Sequence, residues 1–269
     1  TRMSEQIIYI NRFGNQGLLP ETQAIITRAL SESFAIPDNS TIKKLDKLIR
    51  DMKSVGYWEK RDYILLSGYN DINLLNFSRI NIKNPSWDLA TLVGDITYTL
   101  GGFKGSDDNT SYLSLPYNYL TDSILYTLDD AGRDMVVYQE PTVGTYLESS
   151  TMNNREILRY HTSSNNQRIN QLVANLEGGF INTLGTGYKG INRTSSEDVV
   201  MFNKDVQYNR TRTSVELTNG TIRLFLNSSE STDAVISYYS IGASVVDESQ
   251  DFRTIYNQFL TRIGLSPIA

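Results

Sequence analysis

Acid–base chemistry in this chain would have to come from two adjacent carboxylate pairs, Asp129-Asp130 and Glu197-Asp198, or from its single histidine, His161. Neighbouring residues on a strand point to opposite faces, so neither pair aims two carboxylates into one cleft unless a turn brings them together. A Glu-X-Asp-X-X-Glu strand, which would line up alternate carboxylates, does not occur. His161 lies in Tyr160-His161-Thr162-Ser163-Ser164-Asn165-Asn166, a polar segment that reads as an exposed loop. There is no Gly-X-Ser-X-Gly elbow to hold a nucleophile beside it. One histidine and no cysteine give a zinc ion too few ligands. Gly185-Thr186-Gly187 lacks the strand-to-helix setting of a phosphate loop. The chain therefore reads as one that is not an enzyme and carries no cofactor.

Calcium needs only oxygen ligands. Asp107, Asp108, Asp129 and Asp130 are its weak candidates, with formation of turns as the plainer role for all four. Sugar binding needs aromatic faces beside amides and hydroxyls. Tyr138, Tyr160 and Tyr188, with Asn165 and Asn166, are the candidate set for a glycan. Seventeen tyrosines make each of them a sheet-packing candidate as well. The Asn-X-Ser/Thr triplets at Asn192, Asn209, Asn219 and Asn227 follow from the same polar bias.

The elements that must position these residues are mostly short strands. Val199–Asn203, Thr213–Leu217, Thr221–Asn227 and Val235–Ser240 alternate or run apolar, with turn residues between them. Asn219-Gly220 predicts a type I′ hairpin between the second and third of these. Tyr63-Ile64-Leu65-Leu66 predicts an earlier strand. Asp247 to Ile263 predicts one amphipathic helix, capped by Asp247 and closed by Gly264. Two more helices are expected near the start. One begins at Pro20, with Ala24, Ile25, Ile26, Ala29 and Leu30 on its apolar stripe. The other runs from about Thr41 to Val55, with Ile42, Leu45, Leu48, Ile49 and Met52 on one face. Lys43, Lys44, Lys47, Arg50 and Lys53 lie on the other, which reads as a solvated face with carboxylates nearby. Trp58 is expected to anchor the junction of helix and sandwich.

Three groups of segments carry a resemblance. The first is Leu48-Ile49-Arg50-Asp51-Met52-Lys53-Ser54-Val55-Gly56-Tyr57-Trp58-Glu59-Lys60 with Ile80-Asn81-Ile82-Lys83-Asn84-Pro85. The second is Gly101-Gly102-Phe103-Lys104-Gly105-Ser106 leading to Thr110-Ser111-Tyr112-Leu113. The third runs from Tyr239-Ser240-Ile241-Gly242-Ala243 to Phe259-Leu260-Thr261-Arg262-Ile263-Gly264. In this order, over about residues 20 to 265, they resemble tailed-phage virion proteins. In that group a short helical segment precedes a concanavalin A-like, laminin-G-like jelly-roll domain.

The resemblance implies a mainly β fold: a jelly-roll β-sandwich preceded by two helices and closed by a C-terminal helix. The expected divisions are an N-terminal arm at 1–17, a helical segment at 18–56, and the sandwich with its helix at 57–269. The implied role is a head-fibre or tail appendage on the exterior of a phage particle, attached to other virion proteins and able to meet a host-surface glycan. A homo-oligomer, dimer or trimer, is expected. A stand-alone lectin module and a glycan depolymerase are the competing roles. The formal net charge of -5 argues against a nucleic-acid partner. No apolar run approaches the ~20 residues of a membrane span, so no membrane insertion is expected.

Overall fold

Strand β1 (Arg61–Leu66) is buried along its whole length. Tyr63 and Leu65 enter one apolar core, while Ile64 and Leu66 enter another. The same alternation divides β6 (Ala131–Gln139), where Met135 and Val137 face the first core and Val136 the second. A sheet with both faces covered has no polar side to alternate, so its strands read as continuous buried runs. The computed structural model describes residues 17–142, 146–150, 157–159, 168–170, 184–226 and 230–268. Their architecture is three layers: helices, a large sheet and a small sheet.

The remaining strands are β2 (Thr91–Val93), β3 (Thr97–Thr99), β4 (Gly102–Lys104), β5 (Tyr112–Asn118), β7 (Tyr146–Ser150), β8 (Ile157–Arg159), β9 (Gly187–Arg193), β10 (Asp198–Asn203), β11 (Val206–Thr211), β12 (Thr221–Leu224) and β13 (Val235–Gly242). The large sheet has eight strands in the order β11-β10-β9-β6-β13-β4-β3, with β1 also paired to β13. The small sheet has five, in the order β2-β5-β12-β7-β8. The named pairs in both sheets are antiparallel. The protein is a mainly β jelly-roll sandwich with helices on one side.

Helices α1 (Pro20–Ser31) and α2 (Asn39–Ser54) precede the sandwich, and α3 (Ser249–Arg262) follows it. Pro20 sits in the first turn of α1, and the Asp38 side chain caps α2 by accepting from Thr41 N. Asp46 ties the two together, accepting from Leu19 N (2.7 Å), Thr22 Oγ1 (2.8 Å) and Arg50 Nε (2.7 Å). The basic face of α2 is paired with acids: Lys47 with Asp51 and Lys53 with Glu21. Ile25, Leu45, Leu48, Ile49 and Met52 share one core with Phe252, Tyr256, Phe259 and the outer face of the large sheet. Trp58 is buried there too, with the Lys83 ammonium 4.9 Å from its ring centre.

The C-terminal helix lies on the sheet through aromatic contacts. Phe252 stacks on Tyr57 with ring centres 4.1 Å apart and packs against Tyr238 at 4.7 Å. Gly68 permits this approach. A Cβ there would stand 2.6 Å from the Tyr256 hydroxyl oxygen and 2.9 Å from Ser237 Cβ. The helix starts two residues later than Asp247, with Glu248 in the cap position and no side-chain cap. Glu248 is instead held by Lys60 at 2.7 Å.

Two local expectations are overturned. Residues 213–217 form no strand, and Val215 is exposed. β12 pairs with β5 and β7, so Asn219-Gly220 is no hairpin turn, and neither residue has the positive φ of a type I′ turn. The tight hairpin of this region joins β10 to β11 through Lys204, at φ +57°.

Candidate functional site

The strongest charges in the fold are buried and neutralised. Arg61 and Asp134 pair at 2.9 Å, both wholly inaccessible. The Tyr57 and Tyr188 hydroxyls donate to the same carboxylate. Burial pushes the Asp134 carboxyl up and Arg61 opposes the shift. Arg133 reaches across the sandwich to Glu148, which also accepts from the Tyr119 hydroxyl at 2.9 Å. Arg193 gathers four carbonyls, those of Ile169, Ser195, Ser196 and Arg212. Asp62 accepts from three successive backbone N–H groups, of Ile124, Leu125 and Tyr126, and from the Tyr117 hydroxyl. These groups join strands and loops. A substrate has no path to Asp134 or Glu148, so their chemistry is structural.

The residues singled out from sequence do not gather into one site. Tyr188 is buried, packed against Phe202 and Phe252, with its hydroxyl on Asp134. It presents no face to a sugar. Tyr138 is half-buried, its ring lying where a Cβ on Gly101 would be. Tyr160, His161, Asn165 and Asn166 lie outside the described residues. Asn192 is buried and its side-chain oxygen accepts from Val245 N at 2.9 Å, so it is no glycan acceptor.

Three of the four calcium candidates, Asp108, Asp129 and Asp130, are engaged in hydrogen bonds, Asp108 within its own turn and the other two with distant segments. Asp108 accepts from Thr110 N (2.8 Å) and Ser111 N (2.7 Å) as well as from the Ser111 hydroxyl, and these bonds hold its carboxyl down at about 2. Asp129 takes the Ser214 hydroxyl and Asp130 takes Ser244 N at 2.7 Å. Among the described residues, no three His, Cys, Asp or Glu side chains are grouped as a metal site would need.

A concave site lies elsewhere, where the start of α2, the chain after β1 and the end of α3 meet. This cleft has a volume of about 280 Å³. Pro37, Leu74 and Ile263 give it apolar walls, and Asp38, Thr41, Lys44, Asn70 and Asp71 supply polar groups. Asp38 and Asp71 each use one oxygen as a cap, Asp38 on Thr41 N and Asp71 on Asn73 N. The cap bonds hold the Asp38 carboxyl below its usual range. Both carboxylates line the cleft, with a lysine and an amide as donors beside them. The volume lies just under the ~300–1,000 Å³ of sites for drug-sized ligands and suits one small polar ring. Sequence reasoning missed this cleft because its residues come from three separate stretches, each already explained as a cap or turn.

No protein-family model and no curated protein matches the sequence. Among solved structures, domain 4 of AbnA, a GH43 extracellular arabinanase from Geobacillus stearothermophilus, in complex with arabinotriose, is similar at 13% identity. It covers 71% of this chain and 98% of that one, with a TM-score of 0.46. The Ca2+-bound exoplasmic/lumenal domain of VIP36 is similar at 11% identity, covering 70% and 93%, with a TM-score of 0.35.

Proposed function

We propose that this chain is a non-catalytic adhesion protein. It is a structural component of a phage virion, in a head fibre or tail appendage, that binds other virion proteins and holds a host-surface glycan in the cleft between helices and sandwich. The virion setting is supported by the order of the segments from Leu48 to Gly264. The glycan reading is carried by the cleft, in which two carboxylates, an amide and a lysine stand around apolar walls. Sugars offer just this mixture of hydroxyl rows and apolar ring faces. A binding role fits the buried carboxylates Asp134 and Glu148, which are each held by an arginine. The cleft alone would serve a free-standing carbohydrate-binding module equally well. The virion reading adds docking to other copies and to other particle proteins.

The test is a glycan array probed with wild-type protein and with the double variant N70A/D71N, both shown to melt alike. Selective binding that the variant loses by about tenfold supports the reading. Equal binding by both, or none by either, removes the cleft from it.

A further inference from the structure

The helices cover one side of the sandwich, and the far side is the outer face of the five-stranded sheet. Along β5, Leu113, Leu115 and Tyr117 point into the core, while Tyr112, Ser114, Pro116 and Asn118 point outward and are half-buried. In β12, Ile222 and Leu224 point in and Arg223 points out, directly opposite Ser114. The Arg223 guanidinium carbon lies 4.4 Å from the centre of the Tyr112 ring. Thr91 of β2, paired with Ser114, is exposed beside them.

Arg223 differs from the other arginines whose ion pairs are described. Arg28, Arg50, Arg61, Arg133, Arg253 and Arg262 each hold a carboxylate. Among the described residues Arg223 holds no carboxylate, its Nε is buried without a partner, and its contact is the tyrosine face. Stacking fixes the plane of a guanidinium while leaving its N–H edge free. That edge matches a carboxylate in a two-pronged pair. An oriented cation with no carboxylate partner among the described residues, on a half-buried sheet face of a protein with net charge -5, favours an acidic ligand.

We propose that this face is a second binding surface, for a saccharide chain bearing isolated carboxylates. Arg223 receives the carboxylate and Tyr112 supports a sugar ring. Ser114, Thr91 and the Asn118–Asn219 amide pair meet hydroxyls along the strand direction. The Asp108 carboxylate, held by Ser111 just before β5, repels densely charged polyanions such as nucleic acids and tolerates a single carboxylate set among neutral hydroxyls. The proposal takes its ligand class from the glycan reading above, but the surface is separate from the cleft.

The test is calorimetric titration with three probes: oligogalacturonate, its methyl ester and poly-glutamate. The proteins are wild type, R223Q, R223K and N70A/D71N, each checked for an unchanged melting temperature. Wild type and N70A/D71N are expected to bind oligogalacturonate, and R223Q to bind it about tenfold more weakly or worse. R223K, a point charge without the fork, falls between. Wild type is expected to bind the methyl ester no better than R223Q binds the acid. No binding of oligogalacturonate by wild type, or R223Q within twofold of wild type, overturns the proposal. Poly-glutamate binding as tight as the saccharide overturns it in favour of acidic peptides. Loss in N70A/D71N alone returns the acidic ligand to the cleft.

Discussion

Lys189 is the side chain whose burial has the clearest consequence in solution. It is inaccessible, and its ammonium donates to Leu184 O at 3.1 Å and to Asn203 Oδ1. Desolvation, with the nearby Lys204 adding to it, holds its pKa down at about 7, from the usual 10.5. Between these values the unfolded chain carries a proton here that the folded chain lacks. Folding is therefore least penalised above pH 10.5, and stability falls as pH drops towards 7, then levels off. Replacing Lys189 with Met is expected to flatten that slope. Urea midpoints at about pH 9.5 and pH 7 check it, and equal slopes in both proteins would count against the account. The buried arginines could not be found from sequence. Arg61, Arg133 and Arg193 lie in stretches that look like ordinary strand, and their partners come from other elements, 73, 15 and 19 residues along the chain. The same applies to Arg223, whose meaning depends on Tyr112, over a hundred residues earlier.

At the scale of elements, what could be read depended on how local the signal was. The helices were legible because a 3.6-residue period lies within each segment, with Pro20 marking one start and Gly264 one end, while α2 begins at Asn39 behind the Asp38 cap, two residues before the expected Thr41. β1 and β13 were legible as apolar runs. The 213–217 stretch alternated like a strand but joins no sheet: Ser214 N bonds Ser196 O and Val215 N bonds Asn170 O, while β12 is taken on both sides by β5 and β7. β11 carries Gln, Asn, Arg and Thr at the edge of the large sheet, so its composition resembled a loop. The C-terminal helix was expected to close the sandwich, and the aromatic stack under Phe252 shows how it does so. Phe252 is wholly buried and touches Tyr57, Tyr188, Tyr238 and Tyr256. Phe252→Ala is expected to cost about 3–5 kcal/mol, because α3 and the sheet cannot collapse onto the void. Denaturant unfolding measures this, and a cost below about 1 kcal/mol would show that the helix is not seated by that ring.

At the scale of the molecule, the three layers divide the work. The central strands of the large sheet are buried on both faces. The helical layer seals one side and forms the cleft at its border. The small sheet turns an outward row of Tyr112, Ser114, Pro116 and Asn118 to solvent. The wholly buried ion pairs join the strands inside these layers. The fold was largely legible in the sequence. The candidate surfaces were not, because each is assembled from turns and strand faces that are ordinary taken singly.

The central claim is that this sandwich binds saccharide without cleaving it. Electrophoresis of the purified protein through gels containing host capsular polysaccharide, with reducing ends assayed in the same mixtures, tests it most directly. The account expects retarded migration with no reducing ends above the buffer control. Reducing ends that accumulate with time, and vanish when an exposed Asp or Glu is replaced, would contradict it.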